Sequence, residues 1–469
     1  MQPVLAQFYG FEYSGAVTLF MAGFGGLALL AALMIRLSAI QWILVAMLFF
    51  TALSAPVNYE RTQYVQTWML PVQMQKASIH LALGLLLTLV VIVTNRLQPS
   101  LVPVQGLFIL AISLYAAMLQ FIHETPTYAA QSLGFALGVV PCMLFAAPSV
   151  CRSYDGCVKM LRAIMVASVA WTVCCSVQFV INPRMLVNSE GGRFWGMNSN
   201  AQGAALTVAP FAVIALWLLL NDHSKKLRLL WLGLVGINLI FLGWTGSRTG
   251  LLMLLAGAVF VLYRRMGRVV LFLPIAAVVT FGLSVLSDEL QIANNLERLT
   301  DVTNTREGVW AVQISKIAES PVIGVGWKET GASESSFLGG FAAYGMGMFL
   351  IMTAFLVYSM WRCAQLTLLR GRLPREQRPM VDVFVSFNAM YFASAVFEGH
   401  MLARSAPTQT MMLMFAGIGV WLAGALRSGP AGGPEEDEGA GLWAYDSTLA
   451  YEYSRAEEDR GPAVPSPGA

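Results

Sequence analysis

The chain has 469 residues, 57% of them hydrophobic and only 12% charged, with 29 basic against 26 acidic side chains. Mean hydropathy is +0.64. This balance excludes a soluble globular enzyme and gives no reason to expect a nucleic-acid partner; it is the composition of a polytopic membrane protein embedded in membrane lipids.

Taken in chain order, apolar runs long enough to cross a hydrocarbon layer of ~30 Å, which needs roughly 20 helical residues, occur near 15–35, 39–55, 78–95, 101–121 and 130–148. Further runs lie near 160–181, 203–220, 229–245, 249–263 and 269–286, and the last near 337–361, 381–397 and 409–426. The expectation is an all-α polytopic protein with about 12–13 membrane helices. One long loop, 287–336, would carry short helices of its own. Residues 1–428 form the membrane domain. The tail 429–469 is Gly/Pro-rich with acidic runs at Glu435–Glu438 and Glu457–Asp459, a composition of disorder.

Basic residues fall in alternate junctions: Arg36; Arg96; Arg152, Lys159 and Arg162; Lys225, Lys226 and Arg228; Arg264, Arg265 and Arg268; Arg370, Arg372, Arg375 and Arg378; then Arg427. By the positive-inside rule these junctions are cytoplasmic, so the N-terminus lies outside and the C-terminus inside. The opposite junctions, 56–77, 122–129, 182–202, 246–248, 287–336 and 398–408, are longer on average and less basic. No cleavable signal peptide is expected, because the first residues lack a basic n-region. The six cysteines fall in spans or at cytoplasmic ends, where a disulfide framework is not expected. His80, His123, His223 and His400 are scattered, so no metal or other cofactor is expected either.

Four polar stretches interrupt this apolar chain, all on the side read as external. Gly191–Gly203 contains Arg193, Asn198 and Asn200, donors suited to sugar or phosphate oxygens. Ser247-Arg248-Thr249 is a tight turn between two spans. Asn304–Trp310, with Arg306, opens an amphipathic helix that ends at Ser320-Pro321 and leads to Gly324-Val325-Gly326-Trp327. Ser333-Glu334-Ser335-Ser336 caps the next span, in which Tyr344-Gly345-Met346-Gly347 places small residues for close helix approach. A charge at the end of a membrane helix is costly unless paired or used, and arginine's fork of donors matches phosphate. Each has a purely structural alternative: Arg248 snorkelling beside Trp244, Arg193 among interfacial aromatics, Arg306 in a loop ion pair, Glu334 as an N-terminal helix acid, His400 as an interface histidine.

In order and spacing these stretches resemble the O-antigen ligase and Wzy-type polysaccharide polymerase superfamily over roughly residues 190–425. Arg193 to Asn200, Ser247-Arg248, Arg306 with Trp310, and Pro321 to Gly326 carry the resemblance. Where ligases of that superfamily usually have His-Asn, this chain has Glu334-Ser335. The resemblance implies a metal-independent, inverting glycosyltransferase in the bacterial inner membrane, with its site facing the periplasm. Its donor would be an undecaprenyl-pyrophosphate-linked glycan and its acceptor a lipid-linked repeat unit, with a flippase and a chain-length regulator as partners. Arg248 and Arg306 would stabilise the leaving pyrophosphate, and Glu334 would accept the acceptor's proton, with Glu398 and His400 in reserve. Arg193, Asn198, Asn200, Ser247, Arg404 and His400 would bind substrate. A polymerase is the first reading; a ligase onto lipid A core or protein, and an anion transporter, are the alternatives.

Overall fold

The computed structural model describes residues 35, 37–54, 57–58, 63–64, 67–94, 102–187, 192–263, 307–330, 334–402 and 406–427. The expected spans near 15–35 and 269–286, residues Arg306 and Arg404, and the acidic tail lie outside these described residues. The chain divides into two units, Met1–Gly429 and Pro430–Ala469, and every described residue belongs to the first.

The architecture is all-α and polytopic. Among the described residues nine helices are long and apolar enough to cross a membrane, with two shorter apolar ones. In chain order the helices are α1 (Ala39–Ala52), α2 (Leu70–Met74), α3 (Lys76–Val93), α4 (Val104–His123), α5 (Pro126–Gly138), α6 (Val140–Val150) and α7 (Tyr154–Ile181). There follow α8 (Ala201–Asn221), α9 (Lys225–Thr245), α10 (Arg248–Leu262), α11 (Glu307–Glu319), α12 (Ser336–Leu369), α13 (Arg378–Phe397) and α14 (Pro407–Arg427). A two-residue antiparallel pair, Val57-Asn58 with Gln63-Tyr64, lies between α1 and α2.

Helix starts follow from local chemistry. Ser153, Asn200, Ser224, Ser247 and Ser335 each sit just before a helix, and each side chain accepts from a backbone N–H of the first turn. Those N–H groups have no carbonyl partner within the helix, so a short polar side chain fixes where it begins. α8 lies in the middle of the bundle, with every residue from Ala204 to Leu218 buried. It packs on α9 and α10, and α10 packs in turn on α13. α3 lies at the edge, its Leu85, Leu89 and Val93 all exposed, as lipid-facing side chains would be. All six cysteines are free thiols.

Two spans depart from the sequence expectation of unbroken helices. The run near 130–148 is split at Val139 into α5 and α6, beside Pro141, which lacks an N–H and crowds the preceding turn. The run near 337–361 is part of α12, whose 34 residues would measure about 51 Å at 1.5 Å per residue, longer than the hydrocarbon layer. It is broken at Gly345, where φ is 73° and ψ −169°. The half 346–369 is the membrane-length piece; 336–344 is a short helix at one end.

The break is filled by the Pro321–Gly326 segment. Val325 and Gly326 donate to the carbonyls of Ala342 and Ala343 at 2.9 and 3.0 Å, and Met346 donates to Pro321 O at 2.9 Å. Backbone groups released by the break are therefore satisfied by a neighbouring loop, a requirement away from water. A Cβ on Gly345 would sit 2.0 Å from the Val322 carbonyl oxygen. Gly345 thus marks a helix break, where the sequence suggested helix approach; Gly347, facing the Tyr115 hydroxyl of α4, serves the approach.

Among the described residues, the 192–200 segment, the Ser247–Thr249 turn, the start of α12 and the end of α13 lie at one end of the bundle. At the opposite end several described basic residues are paired. Arg162 bonds Asp222 at 2.9 Å, and Arg370 grips Asp382 through two bonds of 2.9 and 2.7 Å. Burial alone would raise the Asp222 carboxyl, but the Ser224 amide, the Trp231 indole and Arg162 together hold it below the usual carboxylate range.

Candidate functional site

At the polar-motif end, the 192–200 segment is bound to the C-terminus of α9. Phe194 N donates to Trp244 O at 3.2 Å, Trp244 Nε1 to Gly192 O at 3.0 Å, and Arg193 Nε to Thr245 O at 2.8 Å. Phe194 stacks between Phe241 (4.6 Å) and Trp244 (4.8 Å). This aromatic cluster is the reason the Phe194-Trp195 pair lies inside the protein: both residues are buried. Arg193 consequently sits beside the turn that carries Arg248.

That turn is made by Gly246 in the left-handed region, φ 56°, a conformation that costs glycine little. Ser247 caps α10 through Gly250 N at 3.3 Å, which makes Arg248 its first residue. Thr249 donates its hydroxyl to Oε1 of Glu398 at 3.1 Å. The carbonyl of Glu398 accepts from Ser336 Oγ, which also accepts from Met401 N at 3.2 Å. The start of α10, the end of α13 and the start of α12 are thereby tied together. Glu334 stands just before the Ser335 cap, half-buried, with Oε2 shielded from solvent.

The amide residues play different parts. Asn200 Oδ1 is used structurally, accepting from Gly203 N at 2.6 Å as the cap of α8. Asn198 is 3% exposed, and its Nδ2 donor has no hydrogen-bond partner, so it is the better placed of the two to meet a ligand or a water. His400 is buried in an edge-to-face contact with Tyr391, ring centroids 5.0 Å apart, with the Tyr391 backbone as a polar neighbour. Burial pushes its imidazole down to about 3. It is neutral at ordinary pH and supplies no positive charge to a phosphate.

Sequence reasoning passed over several groups at this end. Lys76 donates to Ser54 Oγ at 2.7 Å, and Ser54 N donates to Met197 O at 2.8 Å. Gln73 Nε2 bridges the carbonyls of Ser54 and Met197 at 3.2 and 3.3 Å. These bonds fasten the 192–200 segment to α1–α3. The signal for Lys76 was available: a cation in one of the poorly basic junctions. Trp310, by contrast, stacks on Phe397 at 6.3 Å, a packing contact. Among the described residues no group of three His, Cys, Asp or Glu side chains could hold a metal ion.

The arrangement is that of a multi-pass membrane protein in which Arg193, Arg248, Glu334 and Glu398 lie at one end of a helical bundle. Residues 233–347 match the family model described as O-antigen ligase, and over that segment the chain is similar to that family. The match runs from within α9 through Arg248, Glu334 and the Gly345 break; Arg193, Asn198 and Asn200 precede it. None of the curated proteins compared with the chain is significantly similar to it.

Proposed function

We propose that the chain is a membrane-embedded glycosyltransferase that polymerises a bacterial O-antigen or exopolysaccharide. The donor is an undecaprenyl-pyrophosphate-linked glycan, the acceptor a hydroxyl of a lipid-linked repeat unit, and the site faces the periplasm of the inner membrane. The acceptor oxygen attacks the anomeric carbon as the bond from that carbon to the pyrophosphate oxygen breaks. A single displacement inverts the configuration. The acceptor's proton passes to Glu334, and the electron pair leaves with the undecaprenyl pyrophosphate. Arg248, with Arg193 anchored beside it, stabilises the charge that develops there; Arg306 and Arg404 are assigned to the same clamp by sequence. Asn198, Asn200, Ser247 and neutral His400 are assigned to the glycan.

The observation that supports this most is the Thr249–Glu398–Ser336 linkage, which brings the Arg248 turn and the Glu334 cap to one place within a segment matched to the family. Glu334 in place of the ligase histidine favours polymerase; the description of the matching family supports a ligase as the second reading. The test is the glycan profile of a strain lacking the protein, complemented with wild type or Arg248→Ala. Single repeat units accumulating on the carrier lipid support polymerisation. Long polymer retained on the carrier identifies a ligase, and an unchanged profile overturns both in favour of anion transport.

A further inference from the structure

The end of the bundle remote from this site contains a cavity of about 380 Å³ between α4, α12, α13 and α14. Arg362 of α12 and Arg427 at the end of α14 both line it, with Gln105, Tyr358 and Trp361, and among the described residues no carboxylate lines it. Three other cations of this end are matched with acids, Arg162 with Asp222, Arg370 with Asp382 and Lys159 with Asp155, while Arg228 and Arg378 bond backbone carbonyls. Two guanidinium groups facing one partly enclosed space, with the neutral Gln365 side chain the acceptor that Arg362 has among the described residues, leave positive charge to be neutralised by something that enters.

The surroundings narrow what that is. Val104 and Trp361 line the cavity with exposed apolar side chains, and Leu107, Val357 and Met360 on the same two helices are exposed as well, a surface suited to acyl chains in a membrane. Trp361 and Tyr358 are the residue types that sit at headgroup level. Below them, Gln105 Nε2 is already committed to Asn388 Oδ1 at 2.8 Å and Ser359 Oγ at 3.2 Å, which fixes a polar floor. We propose that this cavity binds the phosphodiester headgroup of an anionic membrane lipid, its phosphate held by Arg362 and Arg427 and its acyl chains lying along α4 and α12. Arginine's planar fork matches a phosphate, and basic pockets between membrane helices are suited to such headgroups. The site is separate from the proposed transfer site and does not depend on it.

The test is native mass spectrometry of the full chain with phosphatidylglycerol, phosphatidylcholine or inorganic phosphate added. Wild type is expected to retain phosphatidylglycerol over phosphatidylcholine, and Arg362→Gln with Arg427→Gln to lower that preference by about fivefold per arginine, the equivalent of ~1 kcal/mol each. Lys225→Gln with Lys226→Gln, outside the cavity, leaves it unchanged. Arg362→Lys with Arg427→Lys keeps the charge without the fork and is expected to fall between wild type and the Gln pair; it decides the matter if the Gln pair does not fold. Equal retention of the two lipids by wild type, or full preference in both paired arginine variants, overturns the proposal. Displacement of phosphatidylglycerol by millimolar inorganic phosphate overturns the lipid assignment in favour of free phosphate.

Discussion

Thr249 donates to Oε1 of Glu398 across 3.1 Å, and in doing so joins two junctions that lie 149 residues apart. The bond fixes the residue that follows Arg248 to the end of α13, whose next carbonyl is held by Ser336. The orientation of the Arg248 turn therefore depends on a carboxylate that need not touch substrate.

Removing that donor tests the dependence. Thr249→Val keeps the shape but leaves Glu398 Oε1 without this bond, a loss of about 1.5–3 kcal/mol for a hydrogen bond to a charged group. The expected result is a lower unfolding midpoint in detergent together with a roughly tenfold drop in glycan transfer, the factor that ~1.4 kcal/mol at the transition state produces. Transfer unchanged in a destabilised protein would show that the link only supports the fold.

Arg248→Ala should reduce transfer by about 10²–10³-fold, the range seen when one charge-stabilising donor is removed, with little change in thermal stability. Arg248→Lys keeps the charge but loses the fork of donors, so its activity should lie between the two. The measurement is the rate of polymer formation from purified lipid-linked repeat units.

Gly345→Ala forces a side chain into a left-handed backbone and against the Val322 carbonyl. The strain alone is ~1–3 kcal/mol, and the contact adds to it, so expression and unfolding temperature should both fall. Gly236→Ala in α9, where a Cβ meets nothing within 4 Å, should be neutral or stabilising by up to about 1 kcal/mol. Thermal melts of the pair check both signs.

His400 predicts a pH response. Its folded pKa of about 3 lies below the ~6.5 of an exposed histidine, so between these values the unfolded chain binds the extra proton. Stability is then fully present above about 6.5 and is lost as pH falls toward 3, by at most ~1.4 kcal/mol per pH unit. His400→Gln should flatten that part of the stability profile and leave the neutral-pH profile of transfer in place. An unaltered acid slope in the variant would contradict the burial argument.

The orientation proposed for the chain is testable in a cysteine-free background. Glu319→Cys, exposed at the motif end, should react with a membrane-impermeant maleimide added to intact spheroplasts. Arg375→Cys, exposed at the other end, should react only after the membrane is opened. The reverse pattern would invert the topology and remove the periplasmic site.

The spans were legible because a run of about twenty apolar residues has few other uses in a chain of this composition; eleven expected spans coincide with described helices or helix pairs, and two lie outside the described residues. The cap at Ser335 was visible as a short polar residue before an apolar run, whereas Ser247 and Asn200, read from the sequence as substrate contacts, also serve as caps. The break in α12 was not, since glycine at a helix break and glycine at a close helix contact are the same letter. Gly345 and Gly347, two residues apart, do one of these jobs each. The Thr249–Glu398 bond was equally hidden, because nothing local in either junction specifies a partner so distant in sequence. Arg193 was legible as a cation, but its anchoring on Thr245 depends on the stacking of Phe194 between Phe241 and Trp244.

The three backbone bonds at the Gly345 break have a mechanical meaning. Val325 and Gly326 are fastened to the short helix that Ser335 caps and that Glu334 precedes, and Pro321 to Met346 at the start of the membrane-length half. The loop is consequently a strap across the break, holding the short helix, about 14 Å long if nine helical residues are counted, to the membrane-length half, and the proposed proton acceptor is held with it. Loosening the strap would let the short helix tilt and shift Glu334, so alignment of the proposed base depends on backbone bonds that no side chain of the site makes.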